Sequence, residues 1–151
     1  MSLLSKIRPY QVDLLVFKVP ESLNPESAIL PFPVTEKAKD VFVFEDKGKQ
    51  AHKSKIFRGS RILKSFGYKT PILCIGDCET PEEYRGKSLY PKMLRYLYTK
   101  FQNEAEIFIL VAPNNMASIR GIEKSGAKKD ARIKCLKIGP IYLNKEIERF
   151  D

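Results

Sequence analysis

Tyr84, Arg85, Gly86, Lys87, Ser88, Leu89 and Tyr90 form the segment of this chain best suited to chemistry, because they fall between an apolar run and a pattern of helical period. The amino terminus of a helix carries unpaired backbone N–H groups and a partial positive charge, and both suit a phosphate. Gly86 lets the backbone approach a ligand closely, while Arg85 and Lys87 add charge beside it. Together these residues suggest a pyrophosphate cradle, although an ordinary strand-to-helix turn with a solvated Arg and Lys would read the same way. The cysteines offer less. In an extended strand Cys74 and Cys78 point to one face about 13 Å apart, too far to share a metal. With Cys135 distant and one histidine in the chain, no metal site is expected, and the cysteines read as buried, reduced thiols.

The elements that position this segment follow from local pattern. Residues 71–80 read as a mostly apolar strand, followed by a loop at 81–85. Leu89, Met93, Tyr96, Leu97, Lys100 and Phe101 recur at helical spacing, which predicts an amphipathic helix over 87–102 with Pro91 in its first turn. Residues 106–112 read as a buried strand. Asn114 or Asn115 then caps a helix that runs to about Ser125 and stops at Gly126. Upstream, residues 10–19, 40–45 and 50–58 read as strands, with a turn at 46–49 between the last two. Residues 60–66 read as a short helix. Residues 21–34 hold Pro25, Pro31 and Pro33, so they should be loop with at most a short helix. Residues 132–137 and 141–143 read as closing strands around Gly139 and Pro140.

At 151 residues, 43% apolar and 11% aromatic, the chain is long and apolar enough for one domain with a sizeable core. No apolar run approaches the roughly 18–20 residues of a membrane span. Lys6 and Arg8 precede only a short apolar stretch with no small-residue cleavage site, so the N-terminus does not read as a secretory signal. Three cysteines are an odd count for a disulfide framework, and a cytoplasmic protein is expected. Lys plus Arg number 27 against 18 Asp plus Glu, a net charge of +9 that favours polyanionic partners: nucleic acid, an acidic lipid surface or a phosphorylated ligand. The densest basic stretch holds Lys47, Lys49, Lys53, Lys55, Arg58, Arg61 and Lys64, which a solvated face also explains.

The run from Arg85 to Tyr90 resembles the pyrophosphate motif of the GNAT superfamily of acyltransferases, Arg/Gln-x-x-Gly-x-Gly/Ala, with Ser88 and Tyr90 in the two small-residue places. Downstream, Asn115, Met116, Ala117 and Ser118, then Ile122, Glu123, Lys124, Ser125, Gly126 and Ala127, resemble that family's second landmark, Asn-x-x-Ala-x-x-x-Tyr-Glu-Lys-x-Gly-Phe. The resemblance covers residues 71–127. It implies an α/β (α+β) fold, with a mixed, mostly antiparallel central sheet, flanking helices and a strand splayed at the acyl-CoA site. It also implies acetyl-CoA as acyl donor and a primary amine as acceptor, in a family that often forms homodimers. His52, Lys53 and Ser54, the strand end from Ile75 to Thr80, and Arg-Gly-Lys before Leu-Tyr-Pro look like members associated with surface-polysaccharide synthesis. In those the acceptor is an amino sugar, often on a nucleotide.

Carried over residue by residue, the resemblance sets Cys78, Glu79 and Thr80 along the pantetheine amides. Arg85, Gly86, Lys87, Ser88, Leu89 and Tyr90 fall on the pyrophosphate, and Asn115 and Ser118 on the pantetheine or adenosine end. Asn115 also reads simply as a helix cap. Chemistry of this class is direct attack of an amine on the thioester, which needs a base, a carbonyl-polarising N–H and a proton for the departing thiolate. Glu79 and Asp77, at the strand end, are base candidates, and so is His52, whose type titrates near neutral pH. A lone His is also a common surface or core residue. The helix tyrosine that often serves as the acid falls on Ile122, and the usual Phe on Ala127; Tyr90 or Tyr142 could substitute, or solvent could protonate the sulfur. Two rival readings stand beside this one. A basic RNA-binding module would interleave exposed aromatics such as Phe57, Phe66 and Tyr68 with Lys and Arg. A non-catalytic acyl-CoA-binding domain would keep the cradle without turnover.

Overall fold

The structure is a computed structural model that describes residues 8–21, 23 and 30–151. Its strands are β1 (Tyr10–Lys18), β2 (Val34–Ala38), β3 (Val41–Asp46), β4 (Lys49–Arg58), β5 (Ile72–Glu79), β6 (Glu106–Val111), β7 (Lys128–Ile138) and β8 (Ile141–Arg149). Among the described residues three helices join them: α1 (Arg61–Ser65), α2 (Leu89–Phe101) and α3 (Met116–Lys124), with a 3-10 turn at Glu82–Tyr84. One eight-stranded sheet runs in the order β2-β3-β4-β5-β6-β1-β7-β8. Every neighbouring pair is antiparallel except β5 and β6. This is the mixed, mostly antiparallel α/β sheet with flanking helices that the resemblance implies.

Helix α2 buries Leu89, Met93, Leu94, Leu97, Tyr98 and Phe101 along one stripe, the positions that its 3.6-residue period aligns. The stripe packs on the β-sheet face that carries Phe17, Phe42, Phe44, Ile75, Ile107 and Ile109. On the other face Leu63 of α1 closes a smaller cluster with Val16, Cys74, Phe108 and Ile133. Alternation in β4 sends His52, Ser54 and Ile56 inward, with exposures of 2% or less, while Lys53, Lys55 and Phe57 face out.

Two differences from the sequence expectation have physical causes. β2 forms immediately after Pro33 from residues with little apolar content, held by its ladder to β3. Of the loop expected over residues 21–34, residues 22 and 24–29 lie outside the described residues. β7 and β8 are longer than expected because cross-strand pairing carries charged residues into the ladder, Arg132 opposite Glu148 and Lys134 opposite Glu146.

The site depends on how β5 ends. Its parallel ladder to β6 stops at Cys74 opposite Phe108, although β6 continues to Val111, so residues 75–79 diverge from β6. On its other side β5 stays with β4 through a bulge. Gly76 pairs with Lys55 and Glu79 with Lys53, so Asp77 and Cys78 together face Ser54, with Asp77 at a φ of 50°. A bulge of this kind bends its strand and increases local twist.

Candidate functional site

The divergence of β5 from β6 opens a cavity of about 720 Å³ between the end of β5, the amino end of α2 and the outer face of α3. Cys78, Glu79 and Thr80 line it from β5 and the residue after it, and Arg85, Gly86, Ser88, Leu89 and Tyr90 from the turn and first turn of α2. Ser118 lines it from α3 and His52 from β4. Two sequence candidates do not line it. Lys87 holds its ammonium 5.3 Å from the centre of the Tyr84 ring, and Asn115 caps α3 by accepting from the Ser118 N–H at 3.2 Å.

The amino end of α2 is built differently from those of the other helices. Ser60 caps α1 and Asn115 caps α3, each accepting a backbone N–H with its side chain. Ser88, at the cap of α2, sits in the left-handed region at φ 57° and makes no side-chain cap bond, and the first turn holds no acidic residue. The first-turn N–H groups of α2 therefore lack the internal partner that a cap supplies, and they border the cavity. Gly86 is required here by its φ of 81°, since a side chain at that position would meet nothing within 4 Å. Arg85 is held to the strand end, its Nε donating to the Thr80 carbonyl at 3.1 Å. The turn is anchored from beneath: buried Tyr84 donates its hydroxyl to Asp46 Oδ2 at 2.9 Å and packs edge-on against Phe32.

His52 is 1% exposed, and both ring nitrogens are engaged: Nδ1 lies 2.7 Å from Thr80 Oγ1 and Nε2 lies 2.8 Å from Ser54 Oγ. Ser54 Oγ donates to Cys78 Sγ at 3.2 Å, and Cys78 donates to the Gly76 carbonyl at 3.5 Å. Following these donors back gives one consistent set of protons, with Thr80 O–H donating to Nδ1 and Nε2–H donating to Ser54. Burial drives the His52 pKa down to about 4, so the imidazole is neutral at neutral pH. Burial likewise raises the Cys78 thiol, which keeps it protonated and makes it a hydrogen-bonding wall rather than a nucleophile. The chain Thr80–His52–Ser54–Cys78 is thus a neutral relay spanning the bulge of β5.

Tyr90 completes the floor. Its ring stacks on His52, with centroids 5.6 Å apart at 27°, and its hydroxyl is hydrogen-bonded to Cys78. Burial, followed by Cys78, raises its pKa, so the phenol stays protonated. One edge of the ring meets Gly121 of α3, where a Cβ would fall 2.7 Å from Tyr90 Cδ1. That close approach explains a glycine in the middle of a nine-residue helix. Tyr142 is elsewhere, on β8, with Lys137 5.5 Å from its ring.

Of the two carboxylates at the strand end, Glu79 is exposed and lines the cavity, whereas Asp77 faces Lys53 at 3.5 Å and does not. Sequence reasoning missed Arg120, Gly121 and Lys124, which α3 presents to the cavity together with Ala117. The signal was available in the i, i+4 spacing of 117/121 and 120/124, a face apart from the buried Ile119 and Ile122. Arg120 and Lys124 have no carboxylate within ion-pair distance among the described residues. The rim is cationic.

Among the described residues no group of His, Cys, Asp and Glu could hold a metal, and no helix is long and apolar enough to cross a membrane. No family model and no curated protein matches the sequence. Two solved structures share the fold. An acetyltransferase from the GNAT family from Colwellia psychrerythraea superposes with a TM-score of 0.65 at 15% identity, over 87% of this chain and 57% of its own. A GNAT-family protein from Novosphingobium aromaticivorans superposes at 0.55 and 14% identity, over 96% of this chain and 68% of its own. The fold is therefore GNAT-like, and the chain spans little more than half the length of the first of these proteins.

Two outcomes follow from the relay and its floor. His52 is the one histidine, with a folded pKa near 4 against 6.5 unfolded, so the unfolded chain binds the extra proton in between. Stability is complete above pH 6.5 and falls by about 3 kcal/mol as pH drops to 4, a slope that His52→Gln flattens in urea titrations across pH. Gly121→Ala pushes on Tyr90 and destabilises by about 1–3 kcal/mol. In a Tyr90→Ala background the same change instead stabilises by up to about 1 kcal/mol through helix propensity. Equal effects in both backgrounds would separate Gly121 from Tyr90.

Proposed function

We propose that this protein transfers an acetyl group from acetyl-CoA to a primary amine by direct attack on the thioester. The observation that carries the reading is the uncapped, cation-flanked amino end of α2 at the mouth of the cavity where β5 leaves β6. The residues present fit the donor. Gly86 and Ser88 carry the left-handed backbone that bares the first-turn N–H groups, and Arg85, Arg120 and Lys124 supply charge for phosphates. Beyond Cys74 the β6-facing side of β5 has no ladder to satisfy it, which leaves backbone groups for the pantetheine amides. Bound acetyl-CoA supplies the activated thioester.

In this reading Lys87 adds long-range charge from its place over Tyr84, and Asn115 acts by orienting α3 and Ser118. Glu79 takes the proton from the incoming ammonium, directly or through one water, because it is the strand-end carboxylate that borders the cavity without an ion-pair partner among the described residues. His52, neutral and engaged at both nitrogens, holds Thr80 and the bulge in position. Tyr90 turns its hydroxyl from Cys78 to donate a hydrogen bond to the departing sulfur, the part for which the resemblance offers no helix tyrosine because Ile122 stands in its place. The acceptor is an amino sugar or its nucleotide conjugate, on the strength of the sequence resemblance around His52 and the β5 end. Three free cysteines suit a cytoplasmic setting. The RNA-binding alternative is left with little: Phe66 and Tyr68 pack against the α1 cluster, and Phe57 alone stands exposed beside Lys55.

Calorimetric titration of acetyl-CoA at two salt concentrations tests the donor. Binding with modest salt dependence is expected, and Arg85→Ala with Lys87→Ala should weaken it roughly tenfold or more while the fold is retained. Unchanged affinity in that variant sinks the cradle, and no detectable binding of acetyl-CoA would turn the question to RNA, whose own titration would show steep salt dependence over many phosphates. Once an amine acceptor is found by thiol release, Glu79→Gln should lower kcat by about 10²–10⁴. His52→Gln should lower it far less. A kcat that collapses with His52→Gln and ignores Glu79→Gln would reverse the two roles.

A further inference from the structure

Strand register sets Glu79 at a seam between the two faces of the sheet. β4 pairs Lys53 with Glu79, Lys55 with Gly76 and Phe57 with Cys74, and directly opposed residues share a face. Cys74 belongs to the cluster beneath α1, so this is the face away from α2 and α3. Glu79 also borders the cavity, and is therefore reachable from both sides. The seam is open because β5 has no ladder to β6 beyond Cys74. With the acyl donor seated against α2 and α3, the face beneath α1 is the one left for an acceptor.

That face of β4 is equipped for an anion. Phe57 is 41% exposed, and its ring lies across Gly76, where a Cβ would fall 3.1 Å from Phe57 Cε2. Lys55 holds its ammonium 5.0 Å from the centre of the ring and has no carboxylate within ion-pair distance among the described residues. Lys53 pairs with Asp77 at 3.5 Å and keeps two further N–H groups. About 7 Å of strand rise separates the two lysines, so both can reach one anion. Two compact ammonium charges on flexible stems suit a phosphate, whereas a carboxylate is better matched by the planar fork of arginine.

We propose that Lys53 and Lys55 hold a phosphate carried by the amine acceptor, which crosses this face of β4 to reach Glu79 with its apolar part against Phe57. The site rests on the acetyl-transfer reading and narrows its acceptor to an amine with a phosphate about 5–7 Å from the nitrogen. The phosphate takes no part in bond making. The ammonium gives one proton to Glu79, and the nitrogen then bonds to the acetyl carbon as the carbon–sulfur bond breaks. The second proton lost from nitrogen balances the one gained by sulfur.

Thiol release from saturating acetyl-CoA tests the site with two pairs of amines: ethanolamine against 2-aminoethyl phosphate, and glucosamine against glucosamine 1-phosphate. In at least one pair the phosphate-bearing amine should show a kcat/KM about tenfold or more above its neutral parent. Lys55→Ala should collapse that ratio and Lys55→Arg should keep most of it. Lys134→Ala, which removes the same charge from exposed β7, should leave the ratio as it is. Equal rates within both pairs overturn the proposal, and so does a ratio that survives Lys55→Ala or falls equally with Lys134→Ala. Acetyl-CoA that binds in calorimetry without turnover of either phosphate-bearing amine overturns this site alone. Acetyl-CoA that does not bind removes the acetyl-transfer reading and the site with it.

Discussion

The architecture turns on a place where a hydrogen-bond ladder stops. Parallel pairing of β5 with β6 ends at Cys74, and the next five residues stay with β4 alone. An interior strand that leaves one neighbour exposes backbone groups in the middle of a sheet, a cost that a fold tolerates only where something else satisfies them. The bulge at Asp77 and Cys78 makes the departure possible by bending the strand. The cavity, the amino end of α2 and the face of α3 are arranged around that one divergence.

What holds the bent strand in place is a buried polar chain that carries no charge. Hydrogen-bonded groups in a low-dielectric interior stabilise when every member is satisfied and penalise when one is not. Thr80, His52, Ser54 and Cys78 satisfy one another in sequence, and no buried side-chain N or O atom among the described residues lacks a partner. Desolvation then decides the chemistry. It depresses the imidazole and raises the thiol, so the histidine that reads as a base candidate in the sequence and the cysteine beside it are both kept neutral by the interior. Proton handling, in the proposed reaction, passes to exposed Glu79.

The parts of the fold legible in the sequence are those written in local periodicity. Leu89, Met93, Leu97 and Phe101 mark α2 because a helix aligns them, and the motif from Arg85 to Tyr90 falls on the cavity apart from Lys87. The bulge was not legible, because its register depends on Ser54 facing two residues of another strand. Nor was the outer half of β8, whose alternation of Lys, Glu and Arg looks like a solvated loop until it is laid against Arg132 and Lys134. The setting of His52 was partly legible. In β4 the small or polar residues His52 and Ser54 alternate with Lys53 and Lys55, so whichever face is buried, the lysines are not on it.

Tyr90 and Gly121 show how a motif can change one residue without losing its geometry. A small residue at position 90 would leave α2 and α3 free to approach each other through small side chains on both helices. A tyrosine there needs space, and that space appears on α3, where the missing Cβ of Gly121 receives the edge of the ring. The cost of glycine within a helix, about 1 kcal/mol relative to alanine, is set against the burial of an aromatic ring. The ring also gains contacts that a small residue would forgo, stacking on His52 and reaching Cys78. Read singly, Tyr90 departs from the pyrophosphate motif and Gly121 is an unexplained weakness in a helix. Read as a pair they place a protonated hydroxyl on α2 at the border of the cavity, while Ile122 of α3 stays buried.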